Sequence, residues 1–337
     1  MKVQNELMNL LNIRFPLIMA PMFLVSNEEM MVAGIQSGVM SVFPTLNCRI
    51  KGSLEDMIDS LHLALLKQQG KPGSFGVNLI VQKTNIYYKE HLDICVDRKV
   101  PFYITSLGNP QETIERAHHY GAKVFCDVTN LKHAEKCAKE GCDGFIAVGY
   151  GAGGHAGRHP NYILIPSIKK HFPHIPVIAA GGIATGETML SMLACGANGV
   201  SVGTRFISSK EAKVSDEYKK AIIDSGMEDI VLTERISGTP CTIINTPYAQ
   251  KIGLRQNRLE RWLNTNVRLK KYFKMLVQVR GMHKLEEAIK PGNYKNLWCA
   301  GESVEMIDDI LSCELIIIRM EKELDNAFQM LNKSFVA

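Results

Sequence analysis

No Cys-x-x-Cys pair occurs in this chain, although it has nine cysteines, at 48, 95, 126, 137, 142, 195, 241, 299 and 313. Several fall inside apolar strand or helix patterns, which suits buried free thiols in a reducing cytosol better than disulfides or zinc. No apolar run approaches ~18 residues, so no membrane-spanning helix is expected. The N-terminal MKVQNELMNLLNIRF has neither an apolar h-region nor a small-residue cleavage site, and the expected location is cytoplasmic. The phosphate loop GxxxxGK[ST] is missing and no GxGxxG opens a helix after the first strand pattern, which weakens ATP-binding and Rossmann readings. HExxH is absent and no carboxylate pair converges. His118, His119, His159, His171 and His174 fall in helix or loop contexts, so no metal is expected. Internal repeats and low-complexity stretches are also lacking.

What is present is a 337-residue chain, 46% hydrophobic and 22% charged, enough for a large core. The net charge is +5, with acids and bases mixed along most of the length. A nucleic-acid partner needs a clustered basic face. The one candidate, residues 251–280, spaces its bases with apolar residues and reads as a solvated helical face. It is also a possible dimer surface.

Short apolar, β-branched runs at 16–20, 39–43, 75–80, 101–105, 123–128, 144–148, 177–180 and 199–202 alternate with helical patterns such as 54–69, 110–119, 131–140 and 162–171. Gly121-Ala122, Gly141-Cys142 and Gly196-Ala197 stand just before strands, where helices stop. Continuous apolar strands alternating with helices predict a parallel sheet covered outside. Eight such units ending near residue 206 predict a (β/α)8 TIM barrel. Residues 207–300 are more polar, with turn signals at 237–240 and 291–292, and 304–331 is strongly amphipathic. The expected organisation is a barrel built from 1–206 and 302–337. A mostly helical insertion, 207–301, would stand beside its mouth as a lid, between strand 8 and the closing helix.

The run PVIAAGGIATGETMLSMLACGANGVSVGTRF, residues 176–206, carries two strand ends with glycine about twenty residues apart. Glycine lets backbone N–H groups approach an anion, and barrels of this class hold a phosphate after strands 7 and 8. A phosphorylated ligand is therefore expected at Gly181-Gly182 and Gly203-Thr204. After strand 6, Gly149–Gly157 wraps His155 in glycines. That imidazole reads either as a base or donor above a bound cofactor or as a loop histidine capping the backbone, and its place at a strand's C-terminal end favours the first. Asn78 is polar in an apolar strand and either bridges strands or faces a ligand edge. Lys123 opens strand 5, where it either stabilises negative charge inside the barrel or is solvated. Ala20-Pro21-Met22 offers backbone groups and a soft side chain to a flat ring, or simple packing.

Taken together, Ala20-Pro21-Met22, Gly76-Val77-Asn78, Gly153-Gly154-His155-Ala156-Gly157, Ala180-Gly181-Gly182-Ile183 and Gly203-Thr204-Arg205-Phe206 resemble the nitronate monooxygenase (2-nitropropane dioxygenase) family. That family is related to the FMN-dependent enoyl-acyl-carrier-protein reductases. The resemblance spans roughly 10–206, and weakly the segment from Trp298. It implies FMN at the barrel mouth, with Asn78 and Lys123 on the isoalloxazine, Gly153 and Gly154 along the flavin, and Gly182 with 201–204 on the phosphate. It makes His155 the base that takes the α-proton of a nitroalkane or orients a nitronate. The products would be a carbonyl compound and nitrite, formed with O2. Where such enzymes carry Gln and Glu before the histidine, this chain has Val148 and Gly151, which removes a side-chain contact to the flavin and an acid from the pocket. The alternative activity is NAD(P)H-dependent reduction of an enoyl thioester or quinone. A nucleotide dehydrogenase of the IMP type would want a loop cysteine, absent from 149–159, and a non-catalytic flavin or phosphate binder would have no use for His155.

Overall fold

The computed structural model describes residues 5–68, 70, 72–234, 240–255 and 297–335. Eight parallel strands close into a barrel in sequence order: β1 (Leu17–Met19), β2 (Met40–Pro44), β3 (Ser74–Ile80), β4 (Phe102–Ser106), β5 (Lys123–Val128), β6 (Gly144–Val148), β7 (Val177–Ala180) and β8 (Gly199–Val202). Closure is made by β1 on β8, with Leu17 opposite Val200 and Met19 opposite Val202. Helices α1 (Glu6–Leu11), α2 (Glu28–Gln36), α3 (Ser53–Leu66), α4 (Tyr88–Asp97), α5 (Gln111–His118), α6 (Leu131–Lys139), α7 (Asn161–His171) and α8 (Gly186–Ala194) accompany the strands. The barrel is the fold expected from the alternation of apolar runs.

Two cores follow from that closure. Ile18, Met40, Val42, Phe102, Ile104, Phe125, Ile146 and Ile178 point inward and fill the barrel with α1 residues Leu7 and Leu11 beneath them. A larger cluster, including Leu17, Met19, Phe43, Phe75, Val77 and Phe145, packs the outward strand faces against the helices. Inward and outward residues alternate along each strand, so each strand is apolar throughout, as a sheet buried on both faces requires. Filling the lower barrel with side chains leaves the C-terminal strand ends open.

Beyond β8 come α9 (Thr204–Ile207), α10 (Asp216–Asp224), β9 (Ile230–Thr233), β10 (Cys241–Ile244), α11 (Pro247–Ile252) and α12 (Cys313–Ser334). The described part of the 207–301 region therefore holds, besides helices, an antiparallel β9–β10 pair that the sequence patterns did not suggest. The basic 251–280 region lies outside the described residues beyond 255, as does the turn at 291–292; of the 237–240 turn only Pro240 is described. Helix α12 packs on α8 and α2. Its contact with α8 is backbone to backbone: a Cβ on Gly186 would stand 2.1 Å from the Leu324 nitrogen. The Gly186 N–H donates to Glu323 Oε2 at 2.9 Å. Among the described residues no helix is long and apolar enough to cross a membrane.

Candidate active site

A cavity of about 1590 Å³ opens over the C-terminal ends of the strands. Its wall gathers Ala20, Pro21 and Met22 after β1, Asn78 on β3, Gly153, Gly154 and His155 after β6, Gly181 and Gly182 after β7, and Ser201, Gly203 and Thr204 at β8. Residues from five separate strand ends thus meet in one space. Val202, also expected there, is instead buried in the outer core.

Lys123 is a correction. As the first residue of β5 it sits at the N-terminal end of the barrel, where its Nζ donates to Asp143 Oδ1 at 3.1 Å. His118 Nε2 lies 2.7 Å from the other oxygen of the same carboxylate, which also accepts from the Val124 N–H. A strand of six residues separates its two ends by roughly 17 Å at ~3.3 Å per residue, so this ammonium cannot serve the cavity.

The loop carrying His155 is held from several sides. Its start is tied to neighbouring strand ends by Gly149 N–H to Ala180 O (3.0 Å) and by Gly182 N–H to Gly151 O (3.2 Å). Strand β10 then pairs with it: Thr242 N–H donates to Gly154 O at 2.8 Å, and Thr242 Oγ1 donates to Ala152 O at 2.5 Å. Beneath it lies Gly301, where a Cβ would come within 2.3 Å of Gly151 O. Gly301 is itself fixed by its N–H donating to Thr204 Oγ1 at 3.0 Å. The imidazole keeps an accessible edge at the cavity. The protein around it disfavours the charged form, so burial lowers its pKa from the ordinary value. A neutral imidazole at neutral pH can accept a proton.

After β7, where the sequence leads one to expect a phosphate, the backbone turns through two glycines of positive φ, Gly181 and Gly182. Gly182 has φ +74°, and a Cβ built there would meet nothing within 4 Å, because it would project into open cavity. Asn161 at the start of α7 fixes this turn, its Nδ2 donating to Ala180 O (3.0 Å) and Gly181 O (3.1 Å). Backbone held open beside glycine suits an anionic group.

Sequence reasoning missed two polar residues of the wall and one that holds the His155 loop. Ser106 ends β4 and Asp127 lies near the end of β5; both face the cavity. Burial raises the Asp127 carboxyl to about 6, against a lowering hydrogen bond from Ser106. The reasoning that singled out Asn78, a polar residue in an apolar strand, applies equally to Asp127 in Lys-Val-Phe-Cys-Asp-Val. Thr242 had no such signal, since its role depends on pairing with a loop some 90 residues away.

Residues 55–323 match the sequence model of the family described as nitronate monooxygenase. A probable nitronate monooxygenase of Staphylococcus aureus is 28% identical over 293 residues, covering 74% of this chain and 80% of its own length. The (3aS,4S,5R,7aS)-5-hydroxy-7a-methyl-1-oxo-octahydro-1H-indene-4-carboxyl-CoA dehydrogenase of Mycobacterium tuberculosis is 28% identical over 257 residues, 75% of this chain and 69% of that enzyme. The structure of FabK from Thermotoga maritima superposes with a TM-score of 0.82 at 27% identity, over 99% of this chain and 100% of that one.

Proposed function

Because the chain belongs to the nitronate monooxygenase family and is an oxidoreductase, we propose that it binds FMN and oxidises alkyl nitronates or nitroalkanes to carbonyl compounds and nitrite with O2. The observation that carries this reading is the place of His155, at the edge of the cavity on a loop paired with β10 and packed over Gly301, in a space that also holds the glycines after β7 and β8. The residues fit the cofactor. Gly182, Ser201, Gly203 and Thr204 would hold the phosphate, and Ala20–Met22, Asn78, Gly153 and Gly154 would line the ring. Bound FMN would supply the electron-accepting ring that no side chain can provide.

The chain's own residues do the rest. An imidazole nitrogen of His155 takes the proton from the α-carbon of a neutral nitroalkane, leaving the nitronate. A substrate that arrives already as the nitronate is oriented instead by the neutral imidazole, which donates its one N–H to a nitronate oxygen. Gly153 and Gly154 bring the backbone close beside this histidine, and Thr242 keeps the loop from swinging away.

A second reading has its own support. The cavity is far larger than a short nitronate beside a flavin needs, since whole ligand pockets commonly measure ~300–1,000 Å³. Val148 and Gly151 contribute no polar side chain to this wall. One relative acts on a carboxyl-CoA. Reduction of an enoyl thioester or a quinone by NAD(P)H is the activity these features favour.

The two readings separate in an anaerobic visible spectrum of the FMN-loaded protein. Bleaching by a nitronate, with NADH inert, supports the oxidation. Bleaching by NADH alone selects the reductase. A protein that takes up no FMN overturns both.

A further inference from the structure

Three strand ends on the wall away from the phosphate cradle share one hydrogen-bond chain. Asn78 on β3 donates through Nδ2 to the main-chain oxygen of Ile104 at 3.2 Å and to Ser106 Oγ at 2.7 Å. Ser106 Oγ in turn donates to Asp127 Oδ2 at 2.5 Å. All three side chains face the cavity.

The direction of this chain follows from what each atom can do. A main-chain carbonyl only accepts, so the Asn78 amide must turn its nitrogen toward Ile104. The second N–H then falls on Ser106 Oγ, which accepts it and must send its own hydrogen elsewhere. Asp127 is where it goes. With both amide hydrogens engaged, Asn78 is left with its carbonyl oxygen, and the residue's small exposed area, 8%, opens on the cavity. Without Ser106 and Asp127 only the Ile104 carbonyl, at the longer distance, would hold the amide.

We propose that Asp127 is a positioning residue which, through Ser106, locks the Asn78 amide with its carbonyl oxygen turned into the cavity, so that this wall recognises an N–H-donating edge of the bound ring. The proposal rests on the flavin reading, because an oxidised isoalloxazine carries one such N–H, at N3. It assigns to Asp127 and Ser106 the ring-side role for which Lys123 is wrongly placed. It also makes the preference chemical rather than steric, since a ring with that position capped by a methyl group leaves the Asn78 oxygen unsatisfied.

The test is a binding cycle on the full chain. FMN and N3-methyl-FMN are titrated into apo-protein and followed by quenching of flavin fluorescence, for wild type, Asn78→Ala, Ser106→Ala, Ser106→Thr and Asp127→Asn. Wild type is expected to bind FMN about tenfold more tightly than the methylated flavin, the usual scale of one well-made hydrogen bond. Asn78→Ala loses that discrimination. Ser106→Ala and Asp127→Asn reduce it severalfold, and Ser106→Thr, which keeps the hydroxyl, restores it. A residue needed only for folding would weaken both flavins alike. Equal discrimination in wild type, Ser106→Ala and Asp127→Asn overturns the positioning role, and no discrimination in wild type overturns N–H recognition. Should Asp127→Asn fail to fold, the alanine and threonine variants of Ser106 decide the matter alone. Failure of wild type to bind FMN strikes instead at the flavin reading.

Discussion

His155 and Asp127 are displaced toward neutrality by the same cause, burial, acting on groups of opposite charge type. For His155 the folded protein disfavours the imidazolium. The acid limb of kcat/KM is therefore expected below the ordinary histidine value of 6.5, with full activity already at pH 7, and a pH–rate profile checks it. His155→Ala should keep its flavin spectrum and lose at least ~10²-fold in turnover, the usual scale of a general base, and retained turnover would remove the assigned role. For Asp127 the folded state favours the protonated acid, raised to about 6 from 3.8. The stability this contributes is fully present below pH ~4 and is lost as pH rises through 6. Asp127→Asn should therefore stabilise the apo-protein by about 1–2 kcal/mol at pH 8 and by little at pH 4, read by urea unfolding at both pH values. Which residues the sequence discloses at this scale follows a rule. Glycines and His155 stood out because their positions at strand ends are visible in the chain, whereas Lys123 misled because a strand's first residue and its last face opposite ends of the barrel.

Strand β10 shows what an element contributes that no single residue does. It belongs neither to the barrel nor to the helices around it, yet it pairs with the loop that carries His155. Thr242→Val removes the bond to Ala152 O while keeping volume. The expected outcome is a loss of about 1 kcal/mol in stability together with a fall in kcat larger than any rise in KM, measured by thermal melts and steady-state kinetics. The eight barrel strands were legible within a residue or two because each is a run of apolar residues between turn signals. The β9–β10 pair was not. Its four-residue strands carry no long period, and what makes them strands is mutual pairing and the contacts of Gly154 and Cys299 with β10.

At the scale of the molecule, a charged cluster joins the end of β8 to the start of the C-terminal helix. Arg205, whose side chain is 4% exposed, donates to Asp309 Oδ1 at 2.5 Å and to the Asp309 carbonyl at 3.0 Å, while Arg319 reaches Oδ2 of the same carboxylate at 2.7 Å. Asp309→Ala would leave a buried guanidinium without its counter-charge. The expected loss is about 3 kcal/mol in urea unfolding, with the double variant Arg205→Met/Asp309→Ala recovering much of it. The barrel as a whole was legible from the order of its units, but this join was not, because it couples residues a hundred positions apart.

That join has a consequence for how the chain is made. The strand that closes the barrel ends at Val202, whereas α12, which fills the space against α8 and α2, begins at Cys313. On a ribosome adding ~5–20 residues per second, roughly 5–20 s separate the synthesis of the two. Throughout that interval the apolar flanks of α2 and α8 stand uncovered, and Gly186 lacks the carboxylate that caps its N–H. The growing chain thus leaves an apolar seam open for seconds, from the completion of β8 until α12 is made.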